Sequence, residues 1–322
     1  MNGCMLLALP LLLLIDFAGN AGPQAPVSSD PQAPGSHRIS VDVNLVVLNA
    51  TVRDQKGRPA SNLGEHDFEV YEDGVRQALR LFLHEDIPVT VGLVIDHSGS
   101  MRPRLAEVIA AAQTFVQASS PQDEMFVVNF NETVSLGLPD AIRFTNRPDE
   151  LARAIAKAPV TGQTALYDAV LMAQGRLQTG TRDKKVLIVI SDGGDNRSRH
   201  SLEEVVKMAR QSSALIYTIG IFDDSDADRN PAVLRRLAGT TGGEAFFPGE
   251  LNDVVPICER IARDIRNQYT LGYVPSSTAQ PGAFRAIRVI ARTAGKANLT
   301  VRTCAGYIAG GESRPDRNEH AK

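Results

Sequence analysis

The sequence predicts an α/β fold: a doubly wound, mostly parallel sheet with helices on both faces, plus a small β module built from strands at both ends of the chain. Three observations lead there. The apolar runs VTVGLVI (89–95), MFVVNF (125–130), VLIVI (186–190) and ALIYTIGIF (214–222) are continuous rather than alternating, as strands buried on both faces are. Helical patterns lie between and after them, the alternation that builds a parallel sheet through crossover connections. β-Branched patterning without helices is confined to 39–86 and to the stretch after 267. The central part is therefore Rossmann-like in architecture.

Taken in order, the chain divides into six segments. MLLALPLLLLI (5–15) is an apolar run too short to cross a bilayer and of the length of a signal-peptide core, and the small residues AGNAG follow it. Residues 1–21 are thus expected to be a signal peptide cut after Ala21, although MNGC ahead of the run lacks the usual Lys or Arg. Cys4 precedes the run, unlike a lipoprotein cysteine. GPQAPVSSDPQAPGSHR (22–38) has almost no aliphatic residues and reads as a disordered linker.

The N-terminal β segment (39–86) holds ISVDVNLVVLNATVRD, a QKGRPA turn, and two strands about Asp73-Gly74, a strong hairpin signal. The central domain (87–267) carries helical patterns at 104–118, 149–158, 165–177, 201–212, 231–243 and 251–265, and Ser201 with Glu204 makes a capping box. QYTLGYV, FRAIRVIA and NLTVRTC form the C-terminal β segment (268–308), expected beside the N-terminal strands because chain ends tend to lie close. The tail (309–322) reads as disordered.

Composition narrows the function. Hydrophobic residues make up 43% and charged residues 22%, ordinary for a globular protein. A net charge of −3 with no basic cluster argues against nucleic acid as a partner. Trp is absent and aromatics are few, so a stacking platform is not expected. Past the signal peptide only Cys258 and Cys304 remain; export permits a bridge between them, but the fold must rest on its core.

The chemistry gathers where strands should end. In a doubly wound sheet, ligands bind beyond the carboxyl ends of the strands. VGLVIDHSGSM stops there on Asp96, followed by Ser98 and Ser100. VLIVISDGGDN stops on Asp192. In TGQTALYDAV, Thr164 directly precedes a helical pattern. Carboxylates and hydroxyls are hard oxygen ligands that suit Mg²⁺, Ca²⁺ or Mn²⁺ rather than zinc.

DHSGSM, GQTALYDA and SDGGDN, in this order, resemble the three loops of the metal-ion-dependent adhesion site (MIDAS) of von Willebrand factor type A domains. DFEVYEDGVRQ before them and NQYTLGYVPS after them resemble a bacterial subfamily of exported proteins with this domain, so the likeness covers roughly 40–308. The resemblance implies Ser98, Ser100 and Thr164 as ligands of a divalent cation, with Mg²⁺ foremost, and Asp96 and Asp192 acting directly or through water. It implies a non-enzymatic, adhesion-type module whose open cation position is filled by an Asp or Glu of a protein partner.

Other readings stand beside this one. Asp96, Ser98 and Ser100 could be a helix N-cap cluster. Ser98 as a hydrolase nucleophile would need a G-x-S-x-G elbow, and Asp96 occupies the place of the first glycine. The protein could instead be an envelope assembly or scaffolding component whose metal is mainly structural. His97 is expected to be exposed rather than a base, and Asp195 to support its loop or lie in solvent. DDSDADRN (223–230) lacks the glycine and terminal Glu of an EF-hand and is expected to be a solvated acidic loop near the metal edge. The sequons at Asn131, Asn196 and Asn298 matter only in a glycosylating host.

Overall fold

The computed structural model describes residues 45–84, 86–222, 227–278, 280–292 and 299–310. The expected signal peptide and linker, the tail from 311, Asn298 and Asp223–Asp226 lie outside the described residues.

The chain opens with β1 (Val46–Arg53), β2 (Phe68–Glu72), β3 (Val75–Gln77) and β4 (Leu79–Leu83). Asp73 and Gly74 both take positive φ, 47° and 83°, the two-residue turn whose twist suits antiparallel strands. The second arm of the expected hairpin is split. β3 pairs with β2, whereas β4 crosses to a different sheet.

The central domain follows as β5 (Val89–Asp96), α1 (Leu105–Gln117), β6 (Glu124–Phe130), β7 (Val134–Leu136), α2 (Pro148–Ala156) and α3 (Leu166–Gln178). It continues with β8 (Lys184–Ser191), α4 (Leu202–Gln211), β9 (Leu215–Gly220), α5 (Pro231–Thr241), β10 (Ala245–Phe246) and α6 (Val254–Arg266). Its six strands run in the order β10-β9-β8-β5-β6-β7, and only β7 is antiparallel. Every residue of β5, β8 and β9 is buried, which accounts for their unbroken apolar runs. α1 packs against α2 and α6, and α4 against α3 and α5, so the sheet is covered on both faces. The capping box forms as expected: Ser201 Oγ accepts from the N–H of Glu204, whose carboxylate accepts from the N–H of Ser201.

The chain leaves β5 for β6 on one side and later lays β8 against its other side. The β5–β8 seam is the topological switch point, where connections diverge and leave a crevice beyond the strand ends.

β11 (Tyr269–Tyr273), β12 (Phe284–Ala291), β13 (Thr300–Arg302) and β14 (Gly306–Ile308) complete the chain. The β module is two antiparallel sheets, β13-β1-β11-β4 and β14-β12-β2-β3. Leu48, Ala50, Phe68, Val70, Tyr269, Leu271 and Ile287 form a core between them, separate from that of the central domain. The N- and C-terminal β segments therefore do meet, and Ala309, just beyond β14, is buried too.

Charged groups join the module to the domain. Arg53 of β1 pairs with buried Asp264 of α6, and Arg302 of β13 shares Glu244 with Arg260 of α6. The two cysteines are free. Cys258 packs in the domain core and Cys304 beside the module core, so no bridge joins them.

Candidate metal centre

β5 delivers Asp96 to the crevice because its ladder with β6 runs to the pair Asp96–Phe130. The chain then turns. The N–H of Ser98 donates to Asp96 Oδ1 at 2.8 Å, and Ser191 Oγ, at the end of β8, donates to Asp96 Oδ2 at 2.6 Å. Ser98 stands at the N-cap of a short 3₁₀ turn (Gly99–Arg104), but its hydroxyl makes no capping bond. It lies 3.1 Å from Ser100 Oγ instead, and Ser100 Oγ donates to Asp192 Oδ2 at 2.7 Å. The Ser100 hydroxyl thus reaches the second carboxylate and the Ser98 hydroxyl meets Ser100, rather than capping the helix. This is against the N-cap reading.

Asp192 follows β8, and its Oδ1 accepts from the N–H of Gly194 at 2.8 Å. Gly193 holds φ at 85°, and a Cβ there would stand 2.4 Å from the carbonyl of Asn230. Only glycine lets the loop lie this close to the segment around Asp228 and Asn230, whose N–H donates to the Asp192 carbonyl at 3.0 Å. The described end of the acidic loop is therefore at this edge, as expected.

Thr164 comes from the loop before α3 and is buried. Its N–H donates to Asn196 Oδ1 at 2.9 Å, and its carbonyl accepts from the N–H groups of Asn196 and Arg197 at 3.0 Å each. Two further bonds bind its loop to the first: Thr161 N–H to the His97 carbonyl at 3.0 Å and Gly99 N–H to the Gly162 carbonyl at 3.3 Å. The structure brings Asp96, Ser98, Ser100 and Asp192 together through side-chain bonds. Thr164 is tied by its backbone to Asn196 and Arg197, which follow Asp192 on the same loop.

The electrostatics are one-sided. Asp96 is fully buried and its acidity is weakened, its pKa raised to about 7. Burial is the main cause; bonds from Ser191 and Ser98 oppose it and the Asp192 charge adds to it. Among the described residues neither carboxylate has a Lys, Arg or His partner within ion-pair distance. Nor, among them, do three His, Cys, Asp or Glu side chains converge anywhere in the protein. Two carboxylates and three hydroxyls fit a hard divalent cation and do not fit zinc.

Other expectations fare differently. His97 is not exposed: it is buried, with Nδ1 3.1 Å from the Ile95 carbonyl and Nε2 2.8 Å from that of Ile155. The ladder explains this. His97 N–H bonds to the Phe130 carbonyl, the bond that closes the Asp96–Phe130 pair, so the backbone of His97 is still held against β6 and its ring is sent towards the end of α2. Burial holds its pKa down, with the two carbonyls opposing. Asp195 supports its loop: it accepts from the N–H of Tyr167 at 2.9 Å, in the first turn of α3, and from Ser198 Oγ at 2.5 Å. Asn131 is buried in an Asx turn with Thr133, which removes that sequon from the surface. The sequence reading passed over Ser191 and Asn196 as site residues. Ser191 could have been found as the last residue of its strand; Asn196 closes the quoted SDGGDN loop, but only the fold shows that its side chain turns to the Thr164 backbone.

Among solved structures, a von Willebrand factor type A protein from Catenulispora acidiphila is similar at 15% identity, over 75% of this chain and 73% of its own, with a TM-score of 0.50. The vWF domain of the type V pili tip protein Mfa5 from Porphyromonas gingivalis is 17% identical, over 61% of this chain and 99% of its own, with a TM-score of 0.47. BatB from Bacteroides thetaiotaomicron is 16% identical over 55% of this chain and 98% of its own, with a TM-score of 0.44. No curated protein matches the chain. The sequence profile of the von Willebrand factor type A domain matches residues 90–256, over half of the chain and all of the strands and loops that build the crevice. The chain belongs to the von Willebrand factor type A domain family.

Proposed function

We propose that the crevice binds a divalent cation, with Mg²⁺ foremost, through Asp96, Ser98, Ser100, Thr164 and Asp192, and that the protein is an exported, non-enzymatic binding module. The observation that carries this reading is buried Asp96 with no cationic partner among the described residues, linked to Asp192 through the hydroxyls of Ser98 and Ser100. Burying negative charge with no cationic partner is costly, and a bound cation would relieve it. A cation held largely by neutral hydroxyls keeps its positive charge at any open position. An Asp or Glu of a protein partner would fill that position in a charge-assisted contact. His97, the histidine nearest in sequence, is engaged with carbonyls away from Ser98, which supports binding rather than turnover. Among the described residues no helix is long and apolar enough to cross a membrane.

The burial of Asp96 also favours a second reading, an assembly component whose cation is mainly structural. Binding to peptides bearing Asp or Glu, measured with Mg²⁺ and with chelator, decides between them. Chelation that abolishes binding without lowering the melting temperature supports the adhesive reading, and chelation that melts the domain supports the structural one. Unchanged binding in a Ser98→Ala/Ser100→Ala variant would sink the cation-mediated mechanism.

A further inference from the structure

The three loops of the proposed cation site are tied into a closed ring. The first and third meet through Ser100 and Asp192 (2.7 Å) and through Ser191 and Asp96 (2.6 Å). Backbone bonds at Gly99–Gly162 and Thr161–His97 tie the first to the second, with Arg102 Nη2 donating to the Val160 carbonyl at 2.9 Å. The second and third meet at Thr164, whose N–H and carbonyl are both taken by the segment Asn196–Arg197. Further bonds brace this side: Tyr167 N–H to Asp195, Asp168 N–H to Ser198 Oγ at 3.1 Å, and the N–H groups of Arg199 and His200 back to Asp168. Among the described residues, the side-chain oxygen that bonds to Thr164 here is Asn196 Oδ1.

A ring tied on every side fixes the span across which a cation must fit. Mg²⁺ demands near-octahedral ligands at about 2.0–2.1 Å, whereas Ca²⁺ takes more ligands at about 2.3–2.6 Å in flexible arrangements. The carboxylate oxygens are also committed, both of Asp96 and both of Asp192, which disfavours the bidentate contacts that Ca²⁺ uses. Loosening one side therefore harms the smaller ion more.

Resting on the cation reading above, we propose that Asn196, not itself a ligand, is a positioning residue: it fixes Thr164 relative to Asp192 and thereby sets the preference for a small octahedral cation over Ca²⁺. Calorimetric titration of the full chain with Mg²⁺ and with Ca²⁺ tests this. Asn196→Leu is expected to weaken Mg²⁺ binding about tenfold, the scale of one lost hydrogen bond, and Ca²⁺ binding less than about threefold. Asn196→Asp keeps the acceptor and is expected to restore the Mg²⁺-to-Ca²⁺ ratio, since its added charge strengthens both ions alike. Should leucine unfold the chain in chelator, Asn196→Ser withdraws the same oxygen without bulk. Wild type that binds neither ion overturns the cation reading itself. Wild type that binds Mg²⁺, with a ratio unmoved in the leucine or serine variant, leaves that reading standing and overturns the role of Asn196.

Discussion

Replacing Asp96 by Asn should stabilise the cation-free protein while removing its response to cation. Asp96 has a pKa near 7 in the fold against 3.8 as its ordinary value, a difference of about 3 units. At 1.36 kcal/mol per unit this is about 4 kcal/mol, an upper figure because water and side chains relax around a buried charge. The sign follows from linkage. A carboxyl whose folded pKa is raised contributes most below 3.8, and that contribution is lost as pH rises through 7. At pH 8 the whole penalty is therefore present. Asn keeps an oxygen for Ser98 N–H, and Ser191 Oγ can turn to accept from its amide, so the replacement leaves the local bonds largely intact.

Urea unfolding at pH 8 in chelator measures the difference, and about 2–4 kcal/mol in favour of Asp96→Asn is expected. Saturating Mg²⁺ should then raise wild type, by about 2.7 kcal/mol at a hundredfold excess over Kd, and leave the variant unmoved. A variant less stable than wild type in chelator would refute the reasoning, since Asp96 would then be compensated in the fold rather than waiting for a cation.

Three further outcomes follow from other parts of the structure. Lys184 is buried at the start of β8 among Asp86, Asp123 and Arg266, and burial pulls its pKa from 10.5 to about 8. This cost is whole below pH 8 and fades towards 10.5, so wild type should gain up to about 3 kcal/mol relative to Lys184→Met over that range in urea melts; a flat difference would contradict it. Gly193→Ala must hold a Cβ at φ 85° and 2.4 Å from the Asn230 carbonyl, and should cost about 2 kcal/mol or more together with loss of cation binding, read by thermal shift with Mn²⁺. Asp264→Asn breaks the buried pairing with Arg53 and should cost about 3 kcal/mol, with domain and module still unfolding in one transition by calorimetry; two separate transitions would show that the joint does not couple them.

How much of this was legible in the sequence depended on how long each pattern runs. The four parallel strands and six helices each extend over enough residues to show a period. β7, with three residues, and β10, with two, are too short to show one. Asp96, Ser98, Ser100 and Asp192 could be read because strand ends carry their own address in a doubly wound sheet. Asp73-Gly74 could be read because few residues tolerate two positive φ values in succession. His97 could not, since the bond from its N–H to the Phe130 carbonyl, which closes the ladder, decides whether its ring faces solvent or the end of α2. The division of labour between β3 and β4 was equally hidden. It depends on β11 and β12, which lie some two hundred residues further along.

The placement of the β module follows from the same topology that makes the site. Parallel strands send all their carboxyl ends to one edge, so a chain entering the sheet through β5 must enter at the other. The module precedes Val89 and resumes at Tyr269, after α6 has run back, and Lys184 Nζ bonds to the Ile265 carbonyl at that returning end. Its joints agree: Arg210 at the end of α4 lies over Phe284, and the backbone of Thr303 presses on Gly242 at the end of α5. Helices that return the chain between parallel strands end at the entry edge. The module is therefore fastened to the edge opposite Asp96 and Asp192. Strands added on both sides of the central domain can brace the last helix without covering the crevice.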